Sequence, residues 1–457
     1  MNTSFEDTIV AIATPPGIGG VGIVRLSGAR SGLITQSIFT LQQAVDTWQH
    51  GQMYYGQLRD PNNQIVDDGY VVYFKSPYSF TGEDVIEIQI HGSPYTLNQC
   101  VELCLAKGAR LAGPGEFTQR AFIHEKIDLI QAEAVSELIH AQSEVEAMLA
   151  RKRLDGKLSE HITQLRNAAI SILAELDADV DFPDEELPLS RIDQRVVEME
   201  KLQAQAEKIL QTYRQNETVR EGYRICFIGR PNAGKSSFFN QLLQSDRAIV
   251  TDIAGTTRDT ISESIYLRGR KVTLIDTAGL RSNTDDVIEA QGMDRAMREI
   301  KQANMVCLIC DVQAPIDPDL LSILQEVERD KRALIYNKMD LHASASEPHP
   351  DFAETFFVSS KTGLGVDGFF AKIAEKLDQQ QLLECGGGIS NDRQRELLQT
   401  VMTQILQSKQ ALLQQDSPEF IAFEFRQAFE ALNRLVGKDD GYEDVYDHIF
   451  STFCIGK

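Results

Sequence analysis

Hydrophobic positions change their period along the chain and divide it into zones. From residue 1 to about 119, strand-like runs such as Val21–Leu26 and Val85–Ile90 alternate with Gly- and Pro-rich turns, which predicts an α+β domain. From Ile127 the period lengthens. Ile127, Ile130, Ala134, Leu138, Ala141, Val145 and Met148 recur at three- and four-residue steps, the pattern of an amphipathic helix. Leu154, Leu158, Ile162, Leu165, Ala169, Ile172 and Leu176 continue it after a break expected at Gly156. The acidic stretch Asp177 to Glu186, with Pro183, reads as a turn between helices because it lacks the ligand spacing of a Ca²⁺ loop. Another helix is expected from about Asp193 to Tyr213.

Buried-strand runs then alternate with helices from Tyr223 onward. After a hinge at Cys385–Gly388, the positions Leu397, Leu398, Val401, Ile405 and Leu412 restore the helical period. The expected fold is multidomain, α/β and α+β, with an α/β domain inserted into a helical one. The expected boundaries are 1–119 for the N-terminal domain, 120–221 and 381–457 for the two parts of the helical domain, and 222–380 for the insert.

Composition narrows the function. A net charge of −22 argues against a surface that coats nucleic acid, since phosphate binding needs clustered Lys and Arg. Arg151, Lys152, Arg153 and Lys157 form one local basic candidate, better read alone as a solvated helix face. Seven cysteines in 457 residues make no disulfide framework. Cys307 and Cys310 form a C-x-x-C inside a strand-like run, where residues three apart face opposite ways, so packing is the better reading than zinc. Cys100 and Cys104 share a helix face without a companion ligand pair. No apolar run is long enough for a membrane span, and Met1–Asp7 lacks the features of a signal peptide; a cytoplasmic protein is expected.

The chemistry lies in the inserted domain. The apolar run Tyr223–Ile228 leads into Gly229-Arg230-Pro231-Asn232-Ala233-Gly234-Lys235-Ser236, a full G-x-x-x-x-G-K-[ST] match followed by a helix from Ser237 to Leu243. Such a loop turns backbone N–H groups toward phosphate oxygens at a helix N-terminus. Lys235 is expected on the β- and γ-phosphates, and Ser236 on Mg²⁺. Asn337-Lys338-Met339-Asp340, after the strand Ala333–Tyr336, matches N-K-x-D; the Asp340 carboxylate accepts from guanine N1–H and N2–H₂, which adenine lacks. Ser359-Ser360-Lys361 stands where a supporting S-A-K element belongs. Asp276-Thr277-Ala278-Gly279, after Val272–Ile275, forms a D-x-x-G switch, and Gly255-Thr256-Thr257 the first switch, with Thr257 as second Mg²⁺ ligand. Thr251, Asp252, Ile253 and Ala254 complete the expected GTP-contacting segment. The order of all these elements is that of a GTPase.

Hydrolysis needs an oriented water, and the position after D-x-x-G is Leu280, which has no hydrogen-bonding group. Glu289 is the candidate, acting directly or through a second water, with surface charge as the alternative. Positive charge is also required between the β- and γ-phosphates. Either a monovalent cation held partly by the Asn232 oxygen or the side chain of Arg258 would supply it; K⁺ stimulation is expected.

The whole chain resembles the MnmE/TrmE family of tRNA-modification GTPases. The resemblance rests on Asp7–Ala11, Pro15–Gly22, Phe80–Asp84, Gly113–Phe122, Asp181–Glu186 and Cys454-Ile455-Gly456-Lys457 together with the G domain. It implies an N-terminal folate-binding and dimerisation domain, with 5-formyl- or 5,10-methylenetetrahydrofolate held by Arg25, Glu87, Lys126 and Lys457. It also implies K⁺ at Asn232, Thr251, Ile253 and Thr256, hydrolytic function for Glu289, and a part for Cys454 in the modification chemistry. The alignment of Glu289 to the family's E-x-x-G requires one extra residue before it. The implied reaction adds aminomethyl or carboxymethylaminomethyl groups at C5 of the wobble uridine U34, in a complex of a homodimer with a flavoprotein of the MnmG/GidA family, on tRNA. Two other classes compete. A ribosome-assembly GTPase of the Era or Der kind would need a KH domain or tandem G domains, and neither pattern is present. A regulatory switch that only senses folate is not separated from the enzyme by sequence.

Overall fold

Alternation of buried and exposed positions around Val24 builds a seven-stranded sheet. In a computed structural model that describes residues 7–181, 189–244, 262–276, 296–341, 349–379, 388–439 and 443–456, its strands follow one another as β1 (Ile9–Ile12), β2 (Gly19–Ser27), β3 (Phe39–Leu41), β4 (Met53–Arg59), β5 (Ile65–Phe74), β6 (Val85–Gly92) and β7 (Arg110–Leu111). Their spatial order is β3-β4-β5-β6-β2-β1-β7. Val24, Leu26, Ile86 and Ile88 face a core completed by α1 (Ser31–Ile38) and α2 (Pro94–Ala106). Cys100 and Cys104 are buried in that core. Because side chains alternate along a strand, Arg25 and Glu87 fall on the opposite face, directly across from one another in the β2–β6 register.

This sheet belongs to the first of two compact units, Met1–His140, Ala150–Lys208 and Asp392–Lys457. Helices α3 (Glu116–Ile123), α4 (Leu129–His140), α5 (Glu144–Leu154), α6 (Lys157–Asp181) and α7 (Leu189–Glu221) follow. The helical run expected from Ile127 to Met148 is in fact two helices. Ser143 Oγ accepts from the Glu146 N–H at 3.1 Å and Glu146 Oε2 accepts from the Gln142 N–H at 2.7 Å, a capping arrangement that restarts the helix. The hairpin of helices Asp392–Gln414 and Pro418–Val436 packs on α6, closed by Ser408 Oγ donating to the Ile421 carbonyl at 2.9 Å. Three of the four basic residues at the α5–α6 junction are paired within the chain: Arg153 is buried against Glu137, Arg151 pairs with Asp155 and Lys157 with Glu160.

The second unit, Ala141–Leu149 and Ile209–Asn391, holds a six-stranded sheet. Strands β8 (Tyr223–Ile228), β9 (Ser262–Leu267), β10 (Arg270–Asp276), β11 (Met305–Asp311), β12 (Arg332–Asn337) and β13 (Glu354–Phe357) order as β13-β12-β11-β8-β10-β9. All are parallel except the edge strand β9. Such sheets are covered on both faces, and β11 shows why its sequence is continuously apolar: Cys307 packs into the core on one side and Cys310 into the core on the other. No His/Cys/Asp/Glu cluster suited to a metal occurs among the described residues, and no described helix is long and apolar enough to cross a membrane.

One buried charge organises the first unit. Arg120 on α3 has no exposed surface, and its guanidinium meets Asp7 at 2.7 Å, Glu83 at 3.0 Å and Glu116 at 3.0 Å. Arg110 adds pairs to Asp7 and Glu116. Burial alone would raise the Asp7 and Glu116 pKa values, but hydrogen bonds from Arg110 and Arg120 reverse the sign, so both carboxyls lie below their ordinary values. The Gly113 N–H also donates to Glu116 at 2.8 Å.

Two outcomes follow. Arg120→Met strands buried carboxylates and is expected to destabilise this unit by about 3–5 kcal/mol, read from its urea transition. Carboxyls depressed in the folded state contribute stability above their unfolded pKa, and lose it as pH falls through the folded value. The acid limb of the wild-type melting profile should therefore be steep below the ordinary carboxylate range and shallower in Glu116→Gln. Identical limbs would remove Glu116 from this role.

Candidate nucleotide site

The C-terminal ends of the parallel strands β8, β10 and β12 lie at one end of the six-stranded sheet, where open α/β sheets bind ligands. The loop after β8 is shaped by backbone: Gly229 and Gly234 have φ of 156° and 90°, and Asn232 sits in the left-handed region at 63°. Helix α8 (Lys235–Leu243) begins directly after it. The Lys235 ammonium stands over the loop and donates to the carbonyls of Gly229 at 2.8 Å and Arg230 at 2.9 Å. Ser236 Oγ lies 3.4 Å from Asp276 Oδ2 at the end of β10, an all-oxygen donor pair of the kind Mg²⁺ takes.

Asn337 ties this loop to the base-reading segment. Its buried amide donates to the Ala233 carbonyl at 3.1 Å, while its oxygen accepts from the N–H of Lys338 and from the N–H and hydroxyl of Ser360, at 2.8, 3.0 and 2.9 Å. A Cβ at position 234 would stand 2.2 Å from Asn337 Nδ2, so the second glycine of the motif is also a packing requirement. Lys338 has a left-handed backbone, φ 67°, and its ammonium pairs with Asp311 at 2.8 Å. Asp340 is exposed, with its carboxylate accepting from Ser359 Oγ at 2.6 Å. That hydrogen bond, with help from the charges of Lys361 and Lys338, holds its pKa below the ordinary value and keeps it an acceptor.

The structure thus brings together Asn232, Ala233, Gly234, Lys235, Ser236, Asp276, Asn337, Lys338, Asp340, Ser359 and Ser360, with Ser237 and Lys361 beside them. Thr251 to Thr257, Thr277 to Gly279, Glu289 and Lys457 lie outside the described residues. Asp311 is a site residue that sequence reading missed. Its signal was present: it is an acidic residue ending a wholly apolar strand, in register with Asn337.

The second candidate region lies in the first unit. Arg25 Nη2 pairs with Glu87 at 2.8 Å, its Nη1 donates to the Gly456 carbonyl at 3.4 Å, and its guanidinium lies 5.7 Å from the Phe117 ring centre. The segment Cys454–Gly456 is held there by a Pro114–Ile455 bridge and by the Gly115 N–H donating to the Cys454 carbonyl at 3.4 Å. A Cβ on Gly456 would collide with the Ile12 carbonyl at 2.3 Å. Lys126 donates to the Pro77 carbonyl at 2.8 Å. Cys454 is exposed, and its Sγ lies 4.0 Å from His140 Nε2.

A glycine loop with its lysine, an Mg²⁺-type oxygen pair and a guanine-selecting carboxylate on a doubly wound sheet define a P-loop GTPase, a GTP hydrolase that works with Mg²⁺. The comparisons with known proteins go further. The family model for the GTP-binding protein TrmE N-terminus matches residues 8–126, and that for the MnmE helical domain matches residues 129–454. The tRNA modification GTPase MnmE of Aquifex aeolicus is 37% identical over 454 residues, covering 99% of this chain and 100% of the relative. That of Legionella pneumophila strain Corby is 41% identical over 467 residues, covering 99% of each. Among solved structures, the G domain of the Thermotoga maritima FeoB iron transporter is 26% identical, covering 34% of this chain and 98% of that one, with a TM-score of 0.25. The chain belongs to the MnmE family of tRNA modification GTPases.

Ser359→Ala removes the hydrogen bond that aims Asp340. Guanine-nucleotide affinity is expected to fall by up to about tenfold, since the exposed carboxylate loses the hydrogen bond that orients it and water restores only part of it. Fluorescent-GDP titration measures this; an unchanged Kd would show that Asp340 is aimed without Ser359.

Proposed function

We propose that this GTPase is K⁺-stimulated and acts in the cytoplasm, as a homodimer with a flavoprotein of the MnmG/GidA family. The complex modifies U34 of certain tRNAs at C5, adding an aminomethyl or carboxymethylaminomethyl group from a folate one-carbon unit. The observation that carries the reading is the union, in one chain, of a guanine-selective site with a segment Cys454–Gly456 fastened beside Arg25, Glu87 and Phe117.

In the nucleotide site, Lys235 and the loop N–H groups would bind the phosphates, and Ser236, Thr257 and Asp276 would hold Mg²⁺, which supplies positive charge to the phosphates when bound. Asn232 has its backbone in the left-handed region, inside the phosphate loop. With the Thr251, Ile253 and Thr256 segment it would hold K⁺, which supplies positive charge near the β–γ bridge when bound. Glu289 orients the attacking water in place of the missing Gln. In the folate site, Arg25, Glu87, Lys126 and Lys457 hold the ligand. The Arg25–Glu87 pair supports this reading, because one face then offers both donor and acceptor to a pterin edge. Cys454 stands beside it as the candidate for the modification chemistry.

Two measurements test the reading. GTP hydrolysis should be several-fold faster in K⁺ than in Na⁺ buffer, and Asn232→Ala should abolish the difference while nucleotide still binds; equal wild-type rates count against the cation role. Mass analysis of tRNA from a deletion strain should show wobble uridines without the C5 substituent. Unchanged tRNA would sink the modification reading.

A further inference from the structure

Strand β11 is apolar from Met305 to Cys310 and then ends on a carboxylate, Asp311, in register with Asn337 on β12. Both oxygens of that carboxylate are used. Oδ1 accepts from the Gln313 N–H at 3.0 Å, in the turn that follows the strand, and Oδ2 accepts from the Lys338 ammonium at 2.8 Å. The acceptor is therefore held independently of the lysine, and little further side-chain freedom is lost when the pair forms. Lys338 is fixed at its other end too. Its N–H donates to Asn337 Oδ1 at 2.8 Å, and its carbonyl accepts from the Leu341 N–H at 3.0 Å. The lysine stem thus runs between two anchors, the loop that carries Asp340 and the end of a neighbouring strand. It also borders a cavity of about 220 Å³, whose wall includes Asn232 and Ala233 of the phosphate loop and Pro315 and Leu320 beyond β11. On that flank the stem meets open space rather than packed side chains. A left-handed residue with a long flexible side chain is the weak point of a loop that must present a carboxylate in one orientation.

We propose that Asp311 is a specificity-determining positioning residue: through Lys338 it holds the loop Asn337–Asp340 in the geometry in which Asp340 reads both guanine N1–H and the 2-amino group. A lysine–carboxylate pair on a surface ordinarily contributes little, because two flexible side chains are ordered for one contact in water. This pair differs in three respects. Lys338 and Asp311 are only 35% and 25% exposed. The acid is short and already held by Gln313. The strand ends that bear the pair are locked together, with the Val312 N–H donating to the Asn337 carbonyl at 3.1 Å. Asp340, by contrast, is exposed, and its bond from Ser359 Oγ fixes one carboxylate oxygen. One hydrogen bond to one oxygen leaves rotation about that bond. A carboxylate that must meet two donors on a flat purine edge needs a second constraint, and the Asp311–Lys338 pair applies it to the backbone that carries Asp340.

Two nucleotides that differ only in the 2-amino group supply the test. GDP and inosine diphosphate, which lacks that group, are titrated against the full-length protein by displacement of a fluorescent GDP. The ratio of their dissociation constants reads the contact of Asp340 with the 2-amino group, and for one hydrogen bond to a carboxylate it should be about tenfold in the wild type. Asp311→Asn should weaken GDP about tenfold and bring the ratio down to about twofold, because inosine diphosphate offers the N1–H alone and has less to lose. Asp311→Glu keeps the charge and should restore most of the ratio. Lys338→Met keeps the stem without the ammonium; it should repeat Asp311→Asn, and the two substitutions together should do no more than either. An unchanged ratio in Asp311→Asn, or a Lys338→Met protein that discriminates as the wild type does, would overturn the proposal. So would loss of both nucleotides by the same factor, which is what a loosened site without a specific role gives. The ratio is read on the binding-competent fraction, so partial unfolding does not move it, and Lys338→Met decides if Asp311→Asn does not fold.

Discussion

A guanidinium taken wholly out of water must be met by carboxylates already held in place, and Arg120 imposes that condition on the first unit. Its three partners come from separate parts of the chain: Asp7 ahead of β1, Glu83 in the loop before β6, and Glu116 one turn back on α3. Each is tied again. Ser27 Oγ donates to Glu83 at 2.6 Å, and Arg110 reaches both Asp7 and Glu116. The N–H of Gly115, the N-cap of α3, donates to the Cys454 carbonyl. Fixing Arg120 therefore fixes where Cys454, Ile455 and Gly456 can lie against the sheet. The motifs that carry the family resemblance in this region, Asp7–Ala11, Phe80–Asp84 and Gly113–Phe122, contain the three acids and the arginine of this cluster.

The nucleotide unit solves the same problem without net charge. Asn337 is buried, and its single amide satisfies the Ala233 carbonyl, the Lys338 N–H and both polar groups of Ser360. A neutral hub avoids the desolvation cost of an ion while still setting the spacing between the phosphate loop and the base reader. Charge is kept for the groups that meet the nucleotide and its metal: Lys235 and Asp276, both buried, and Asp340, which is exposed. Lys338 accepts a left-handed backbone, a conformation costing about 1–3 kcal/mol, because Asn337 and Asp311 hold both of its ends.

Much of this was legible in the sequence, for reasons that differ by element. The strands around Val24, Leu274 and Leu334 and the helix after Lys235 follow from period and from the loop chemistry at their ends. The expected opposition of Cys307 and Cys310 follows from strand geometry alone. The split between α4 and α5 was misread because the apolar steps from Ala134 through Val145 to Met148 stay in phase across it, and the Ser143–Glu146 capping signal was overlooked. Cross-strand facts were out of reach. That Arg25 would meet Glu87 requires the register of β2 against β6, and that His140 would face Cys454 requires two segments 314 residues apart to converge. Glu289 and the first switch were read from motif spacing and lie outside the described residues, so their roles stand on the chemistry of hydrolysis.

The split of α4 from α5 falls where the chain passes from one compact unit to the other. Residues Ala141–Leu149 pack with the nucleotide unit, whereas His140 closes a helix of the other. Tyr266 Oη on β9 donates to Gln142 Oε1 at 2.8 Å, and Gly269, with φ of 71°, leaves room for the Glu144 side chain at the β9–β10 turn. Strand β10 ends at Asp276, beside the Mg²⁺-type oxygens, so the strand pair that grips Gln142 also carries a nucleotide-reading carboxylate. The start of α5 is therefore held by the same hairpin that ends at the Mg²⁺-type oxygen pair, so Gln142 and Glu144 belong to the packing of the nucleotide unit rather than to the helical pattern in which the sequence places them.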